Sequence, residues 1–258
     1  MKKTILVFIF LGLGSRIIAQ TSKPELVTDR PDQTEAPSLV PTGGLQVELG
    51  TSIENDKIED VNVTNYTYVT ALIKYGINKN LELRVISEYL GQRVELNESK
   101  VVNAAGASPL ALGIKINIAD EHKFWPQTAF IGHINLKSGS SEFAPDYTAA
   151  DFRFTFANTL SEKFSLSYNL GAEWNGETPD ANFLYTLCLG YLITDRLGAY
   201  IEMYSFFPED NEADHRIDGG LTFKITPVVQ WDISAGFGLN EIAPDSFIST
   251  GISFRLLK

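Results

Sequence analysis

After its first 20 residues, the sequence lacks any long apolar run. A transmembrane helix needs about 20 consecutive apolar residues, so the sequence argues against a helical membrane protein. Basic residues are also scarce, since 21 Lys and Arg against 32 Asp and Glu give a net charge of −11 at pH 7. Nucleic-acid-binding proteins usually carry the opposite charge. We therefore expect no nucleic-acid partner.

Residues that carry chemistry are few. The single cysteine, Cys188, has no disulfide partner and lies within a strand-like pattern, so we expect it to be a small packing residue. The three histidines are scattered, and the sequence contains no Gly-Xaa-Ser-Xaa-Gly, no phosphate-binding glycine loop and no His-Glu-Xaa-Xaa-His. The sequence therefore predicts a protein that is not an enzyme, with no catalytic residue, cofactor or metal.

What the sequence does contain is alternation. From Phe164 to Trp174, and again from Val229 to Asn240, apolar residues alternate with small or polar ones. A period of two is typical of a β-strand with one apolar face. Aromatic rings end the apolar face of the first stretch, whose length matches the 9 to 11 or so residues of a tilted transmembrane strand. This stretch predicts a strand of a membrane β-barrel.

Twelve stretches of this kind are present, and the sequence predicts an all-β fold, a transmembrane antiparallel barrel of about twelve strands. Proline cannot donate to a sheet ladder, and the prolines after residue 43 fall between the predicted strands or at the start of one. The predicted strands lie at about 44–54, 62–76, 81–93, 109–118, 127–138, 149–159, 164–175, 181–192, 197–207, 214–225, 229–240 and 247–257.

The connections predict the orientation and the domain organisation. Tight turns such as 78–80 and 194–196 alternate with longer polar loops near 55–61, 94–108, 139–148, 176–180, 208–213 and 241–246. In outer-membrane barrels the short turns and both termini are periplasmic. Residues 1–19, with Lys2, Lys3 and an apolar run, predict a cleaved signal peptide. Residues 20–43 are proline-rich and predict an extended periplasmic leader or plug, and 44–258 predict the barrel in the outer membrane of a Gram-negative bacterium.

Alternation also assigns charged side chains to the face opposite the apolar one. Charges are costly against acyl chains, so we expect this face to line the lumen, either as a salt-bridged lattice or as a selective polar pathway. A twelve-stranded barrel is roughly 24 Å across its backbone, which leaves an opening of about 10 Å or less. The predicted lumen-lining charges are Glu48, Lys74, Glu82, Arg84, Glu88, Lys115, Asp151, Arg153, Glu173, Glu202, Arg216, Asp218, Lys224, Asp232 and Arg255.

One segment carries a resemblance to a known family. The residues Thr28-Asp-Arg-Pro-Asp-Gln-Thr-Glu-Ala-Pro37, followed by Val40 to Glu48, resemble the opening of a family of bacterial outer-membrane proteins named for the meta-cleavage pathway of phenol degradation. The resemblance extends over roughly 27–258. It implies a membrane β-barrel that takes up small molecules, aromatic or hydrophobic, and its members are usually called transporters. It implies no catalytic or binding residues.

The same segment predicts a plug. Asp29, Arg30, Asp32 and Glu35 concentrate charge just before the first strand, and we expect them to fold into the periplasmic mouth and pair with lumen charges such as Lys74 or Lys224. The alternative is a flexible leader.

The sequence thus predicts an outer-membrane channel or transporter that passes small molecules passively through a partly occluded polar lumen, with lipid and a small solute as its partners. Three alternatives stay open: a closed barrel that is structural or displays loops, a membrane-barrel lipid hydrolase that uses His133 as its base, and a soluble β-sandwich or lipocalin-like binder. The oligomeric state is left open.

Overall fold

The computed structural model describes residues 24–97, 99–209 and 211–256, so the predicted signal peptide lies outside the described residues. The described chain is almost entirely β-structure, as the alternating pattern predicts. Its strands are β1 (Leu45–Ile58), β2 (Val61–Asn78), β3 (Leu81–Leu96), β4 (Ser99–Ala107), β5 (Ala111–Ala119), β6 (Gln127–Asn135), β7 (Ala150–Thr159), β8 (Phe164–Trp174), β9 (Asn182–Thr194), β10 (Leu197–Phe207), β11 (Asp214–Thr226), β12 (Val229–Gly238) and β13 (Ser246–Leu256).

The strands form one closed antiparallel barrel. β1 pairs with β2 on one side and with the last strand, β13, on the other, which closes the sheet. β3 pairs with β5 through its first half and with β4 through its second half. Because β4 and β5 lie end to end along β3, they fill a single position in the wall. The predicted twelve-stranded barrel is therefore confirmed, with one extra strand.

The extra strand corrects the prediction of long loops at 55–61 and 94–108. β1 and β2 continue to a two-residue turn, where Glu59 has a φ of 55°, and β3 continues to Asn97, where φ is 48°. These strands contain 14, 18 and 16 residues, more than the 9 to 11 or so that cross a bilayer. Their polar ends therefore project beyond the other strands. These ends remain paired as antiparallel strands instead of forming irregular loops.

The burial pattern is that of a barrel in lipid, with polar side chains inside. In the first half of β1, Gln46 and Glu48 are fully buried while Leu45 and Val47 are partly exposed. On β5, Lys115 is fully buried whereas Ile114 and Ile116 are exposed on the other face. An apolar exterior with a polar interior is the arrangement of a transmembrane barrel.

The connections on the short-turn side agree with the prediction, and the longest connection on the other side, between β6 and β7, includes a single 3₁₀ turn, Ser141–Phe143. Among the described residues, no helix has the length and apolar character needed to cross a membrane.

Candidate functional site

Residues 24–44, here called the N-terminal segment, lie inside the barrel. At one end Gly43 donates its backbone N–H to the Gly76 carbonyl of β2 at 2.7 Å. At the other, the Arg255 guanidinium of β13 donates to the Glu25 carbonyl at 2.9 Å. Between these ends the segment contacts strands on opposite sides of the wall, which only a chain in the interior can do.

Asp29 is the most heavily bonded residue of the segment. Its carboxylate accepts hydrogen bonds from Lys74 Nζ at 2.7 Å, Arg84 Nη1 at 2.8 Å and Lys115 Nζ at 3.0 Å. All four side chains are almost completely buried. Burial alone would raise the pKa of the Asp29 carboxyl, but the positive charges of Lys115, Lys74 and Arg84 hold that pKa well below its ordinary value. Asp29 is therefore a carboxylate that joins β2, β3 and β5.

Two acidic side chains of the wall bind the segment through its backbone. Glu48 accepts the backbone N–H groups of Asp29 at 3.0 Å and Arg30 at 3.1 Å, and it also pairs with Lys74 at 2.5 Å. Glu82 accepts the backbone N–H of Val40 at 2.7 Å. Carboxylates that accept backbone N–H groups satisfy donors that would otherwise be buried without a partner. These two acids fix the path of the segment along the β1–β3 wall.

Arg30 points to the β12–β13–β1 part of the wall. Its Nη2 donates to Asp232 Oδ1 and to Ser249 Oγ, both at 3.0 Å. The guanidinium lies against Gly50 and Gly251, which are paired across β1 and β13. A Cβ at Gly50 would lie 2.1 Å from Arg30 Nη1, and one at Gly251 would lie 2.3 Å from Arg30 Nε. The two glycines thus leave the space that the guanidinium occupies.

Glu35 and His133 bind the remaining edges of Arg84. Arg84 Nη2 donates to Glu35 Oε2 at 2.8 Å, and Arg84 Nε donates to His133 Nε2 at 3.0 Å. The other ring nitrogen of His133 is 2.7 Å from Asp151. The nitrogen that a general base would use is therefore the acceptor of an arginine N–H. This geometry disfavours the hydrolase alternative.

A second group of acids faces the segment from β10 and β11. Glu202 accepts the backbone N–H of Gln33 at 2.7 Å and the hydroxyl of Thr34. Asp218 lies opposite Glu202 in the β10–β11 register. Burial, together with the negative charge of Glu202, raises the pKa of the Asp32 carboxyl well above its ordinary value. This part of the interior therefore favours a proton on Asp32.

The other predicted charges lie nearer the rims. Arg153 donates to the Gln33 carbonyl at 3.0 Å, and Arg216 joins Glu54 at 2.8 Å. Lys224 pairs with Glu25, a residue that the predicted plug set omits. Three others are partly exposed, namely Glu88, Asp151 and the Glu173 that lies opposite it in the β7–β8 register.

Neutral residues also hold the segment, and charge alone does not identify them. Asn169 exchanges two hydrogen bonds with the Glu35 backbone, at 2.8 and 3.0 Å, and Gln46 donates to the Val27 carbonyl at 2.8 Å. Both lie on the polar face that alternation defines, so a search for every polar residue on that face would have found them. Within the described ranges, no group of three or more His, Cys, Asp or Glu side chains is arranged to hold a metal ion.

Two cavities flank the segment inside the barrel. One, of about 410 Å³, lies toward the short turns and is lined by small wall residues such as Ser165, Gly190 and Gly198. The other, of about 270 Å³, lies toward the projecting strands and includes Thr70 and Tyr204. Both cavities are lined by residues 30–32 of the segment. The segment therefore divides the space that the wall leaves open.

The chain is similar to known proteins, in sequence to one family and in fold to several solved structures. A family model described as "Putative MetA-pathway of phenol degradation" matches residues 28–256. No curated protein sequence matches the chain.

Solved structures share the fold. An outer-membrane channel from Pseudomonas putida F1 superposes with a TM-score of 0.72 at 11% identity, over 85% of this chain and 97% of that one. The translocator domain of the autotransporter NalP from Neisseria meningitidis gives 0.54 at 10% identity, over 84% and 90% of the two chains. The NanC porin gives 0.50 at 10% identity, over 82% and 100%. These structures are channels, porins or translocators by name, and the likeness is one of fold.

Proposed function

The chain belongs to the family described as "Putative MetA-pathway of phenol degradation", and on that premise we propose that it is an outer-membrane channel that passes small molecules passively. The proposed solutes are small hydrophobic or aromatic molecules, a class inferred from the family description. The proposed route is a polar lumen that the N-terminal segment partly occludes.

One observation carries the proposal. The interior segment leaves a cavity on either side of residues 30–32, each bounded by polar residues of the wall. A barrel that served only to display loops would gain nothing from such space. The cavities suit a compact solute of a few hundred Å³ at most and are too small for a folded protein.

A second candidate, the closed structural barrel, is favoured by the ion pairs around Asp29. Three cations on one buried carboxylate form a lattice that a permanently closed interior would also need. In that case the segment never moves, and the barrel passes nothing.

The location follows from the same proposal. We place the mature protein in the outer membrane of a Gram-negative cell after removal of residues 1–19, with its apolar face in contact with lipid. We also propose that the lumen is lined by the charged residues predicted from the sequence. The four predicted plug residues occupy it as part of the N-terminal segment.

The test is solute entry into vesicles that contain the refolded barrel. Phenol crosses simple bilayers unaided, so the outer leaflet should be lipopolysaccharide, and protein-free vesicles give the baseline. We expect phenol to enter faster than arabinose or glycine through the full-length protein, and deletion of residues 24–43 to admit all three. A heat-modifiable band on a gel verifies that each barrel is folded.

The outcomes separate the two candidates. Entry of no solute through the full-length protein, whatever the deletion variant admits, would support the closed structural barrel. Equal entry of all three solutes through the full-length protein would indicate a general pore and remove the aromatic substrate class.

A further inference from the structure

We propose that Arg30 is the gate residue of this channel, and that movement of its guanidinium group out of a glycine notch joins the two cavities. The inference rests on the proposed function, because it assigns a route and a barrier to the same lumen. Four observations carry it: where the cavities meet, what seats the guanidinium, how weakly that seat holds it, and how firmly the adjacent residue is held.

The cavities meet at Arg30. The cavity of about 410 Å³ and the cavity of about 270 Å³ share three lining residues, Arg30, Pro31 and Asp32. Of these, Pro31 has a short, rigid side chain, and Asp32 points toward the acids of β10 and β11. Arg30 has the only long, flexible side chain of the three. A direct passage from one cavity to the other crosses this position.

The guanidinium sits in a notch that only glycine can provide. Gly50 and Gly251 face each other in the β1–β13 register, and added Cβ atoms would lie 2.1 and 2.3 Å from the Arg30 guanidinium. When the guanidinium leaves, no side chain of these two residues fills the space. The vacated notch would extend the cavity toward the projecting strands along the β1–β13 wall.

The notch holds the guanidinium weakly. Only Nη2 donates to the wall, to Asp232 Oδ1 and Ser249 Oγ. Within the described residues, Arg30 Nε and Asp232 Oδ2 are buried and have no hydrogen-bond partner. The Arg30 side chain keeps 16% of its surface exposed. Guanidinium groups that face both carboxylate oxygens are bound more firmly, so this contact is the easier one to release.

The residue before Arg30 is fixed, so the side chain can move without the segment. Asp29 is 3% exposed and bonded to three cations. The backbone N–H of Arg30 itself is held by Glu48 at 3.1 Å. The segment therefore has an anchor at Asp29 and a mobile side chain beside it, which is the arrangement that a side-chain gate requires.

Arabinose entry into proteoliposomes tests this gate with two independent variants. Arg30→Ala removes the guanidinium. Gly50→Ala keeps the arginine but displaces its guanidinium, because the three atoms nearest to the added methyl group would all belong to the Arg30 side chain. We expect each variant to raise arabinose entry about tenfold, the change in open population that 1.4 kcal/mol produces. The double variant should match Arg30→Ala, since the methyl group then has nothing to displace.

Two control variants make the same types of substitution, Arg→Ala and Gly→Ala, at positions away from the Arg30 side chain. Arg93→Ala removes an arginine that pairs with Glu95 on the projecting part of β3. Gly132→Ala adds a methyl group whose closest contact, at 3.4 Å, is ordinary. Both should leave arabinose entry unchanged.

The results can disprove the role of Arg30 as the gate without disproving the proposed channel function. If Arg30→Ala and Gly50→Ala fold and admit arabinose no faster than the full-length protein, Arg30 is not the gate. The gate proposal is also disproved if the increase in arabinose entry in the double variant equals the sum of the increases in the two single variants. Should phenol still enter through the full-length protein in that case, and arabinose through the variant that lacks residues 24–43, the proposed channel survives and the barrier lies elsewhere in the segment.

Discussion

The Asp29 carboxylate and the Lys74 ammonium group meet at 2.7 Å, although 45 residues separate them in the sequence. Their side chains are 3% and 1% exposed. A buried ion pair stabilises a protein only when further hydrogen bonds compensate the loss of water. Arg84 and Lys115 provide these bonds to Asp29, and Glu48 provides one to Lys74. The pair therefore belongs to a network that depends on all its members.

Removal of the Asp29 charge should destabilise the protein. Asp29→Asn would leave three buried cations without their common carboxylate, and breaking a buried pair from one side costs about 3 kcal/mol. Urea unfolding in detergent micelles, followed by tryptophan fluorescence, measures the free energy. Asp195→Asn, at an exposed turn, is the control and should change it little. An equal, small loss in both variants would show that the network contributes no net stability.

Stability should depend on pH through Asp32. Its raised pKa means that the folded protein holds a proton that the unfolded chain releases, so this contribution is fully present below the ordinary pKa of 3.8 and is lost as the pH rises through the raised value. The carboxylates that face Asp32 are Glu202 and Asp218. Asp32→Asn keeps a neutral side chain at every pH. It should therefore match wild type in acid and be more stable at pH 7, when unfolding free energies are compared across the range.

One result would speak against this account, and Asp29 adds a separate effect in acid. Parallel pH profiles for wild type and Asp32→Asn would mean that Asp32 keeps its ordinary pKa. At pH values below 3.8 the depressed pKa of Asp29 acts in the opposite direction, because its contribution is lost as the pH falls. An Asp29→Asn variant should lack that acid-side loss.

Cys188 should report whether the N-terminal segment is in place. It is the only cysteine, is 5% exposed and lies on the inner face of β9 near Asp32. A membrane-impermeant maleimide should therefore label it slowly in wild type and rapidly after deletion of residues 24–43. Mass spectrometry of the intact protein measures the labelled fraction, with Cys188→Ser as the blank. Equal labelling rates would show that the segment does not cover β9.

A charged substitution on the lipid-facing surface should lower the free energy of unfolding in the middle of the barrel wall. The same substitution on the projecting strands should change it little. Ile114→Lys places an ammonium group on the exposed apolar face of β5, which costs about 2 to 4 kcal/mol at the bilayer midplane. Ile58→Lys makes the same change beside the β1–β2 turn, where the side chain is 57% exposed, and should cost little. Unfolding free energies measured in bilayers compare the two. Equal costs would place the β1–β2 hairpin within the membrane.

The strands were predictable because alternation is a local signal. Phe164–Trp174 and Val229–Gly238 lie within one or two residues of their predicted limits. β4 was missed because its second half, Ala104-Ala-Gly-Ala107, consists of small residues with no alternation. Its pairing with β3 is imposed by the neighbouring strand and cannot be read from its own sequence.

The sequence indicates which residues face the interior, but it does not indicate which residues they contact there. Alternation identifies Lys74, Arg84 and Lys115 as inward residues, and the charge of the N-terminal segment indicates that it has basic partners. That one carboxylate, Asp29, joins all three follows only from the barrel register, which places β2, β3 and β5 side by side. Gly50 and Gly251 carried no signal, because a glycine notch is visible only once its two strands are paired.

The partners of the N-terminal segment have a consequence for the order of assembly. Arg30 binds Asp232, which is 202 residues later, and Glu25 accepts from Arg255, which is 230 residues later. The segment leaves the ribosome before the strands, yet part of its binding site exists only after β12 and β13 have been made and β13 has joined β1. Contacts of such long sequence separation form late. We therefore expect the segment to dock last, so that a docked segment marks a barrel whose wall is complete.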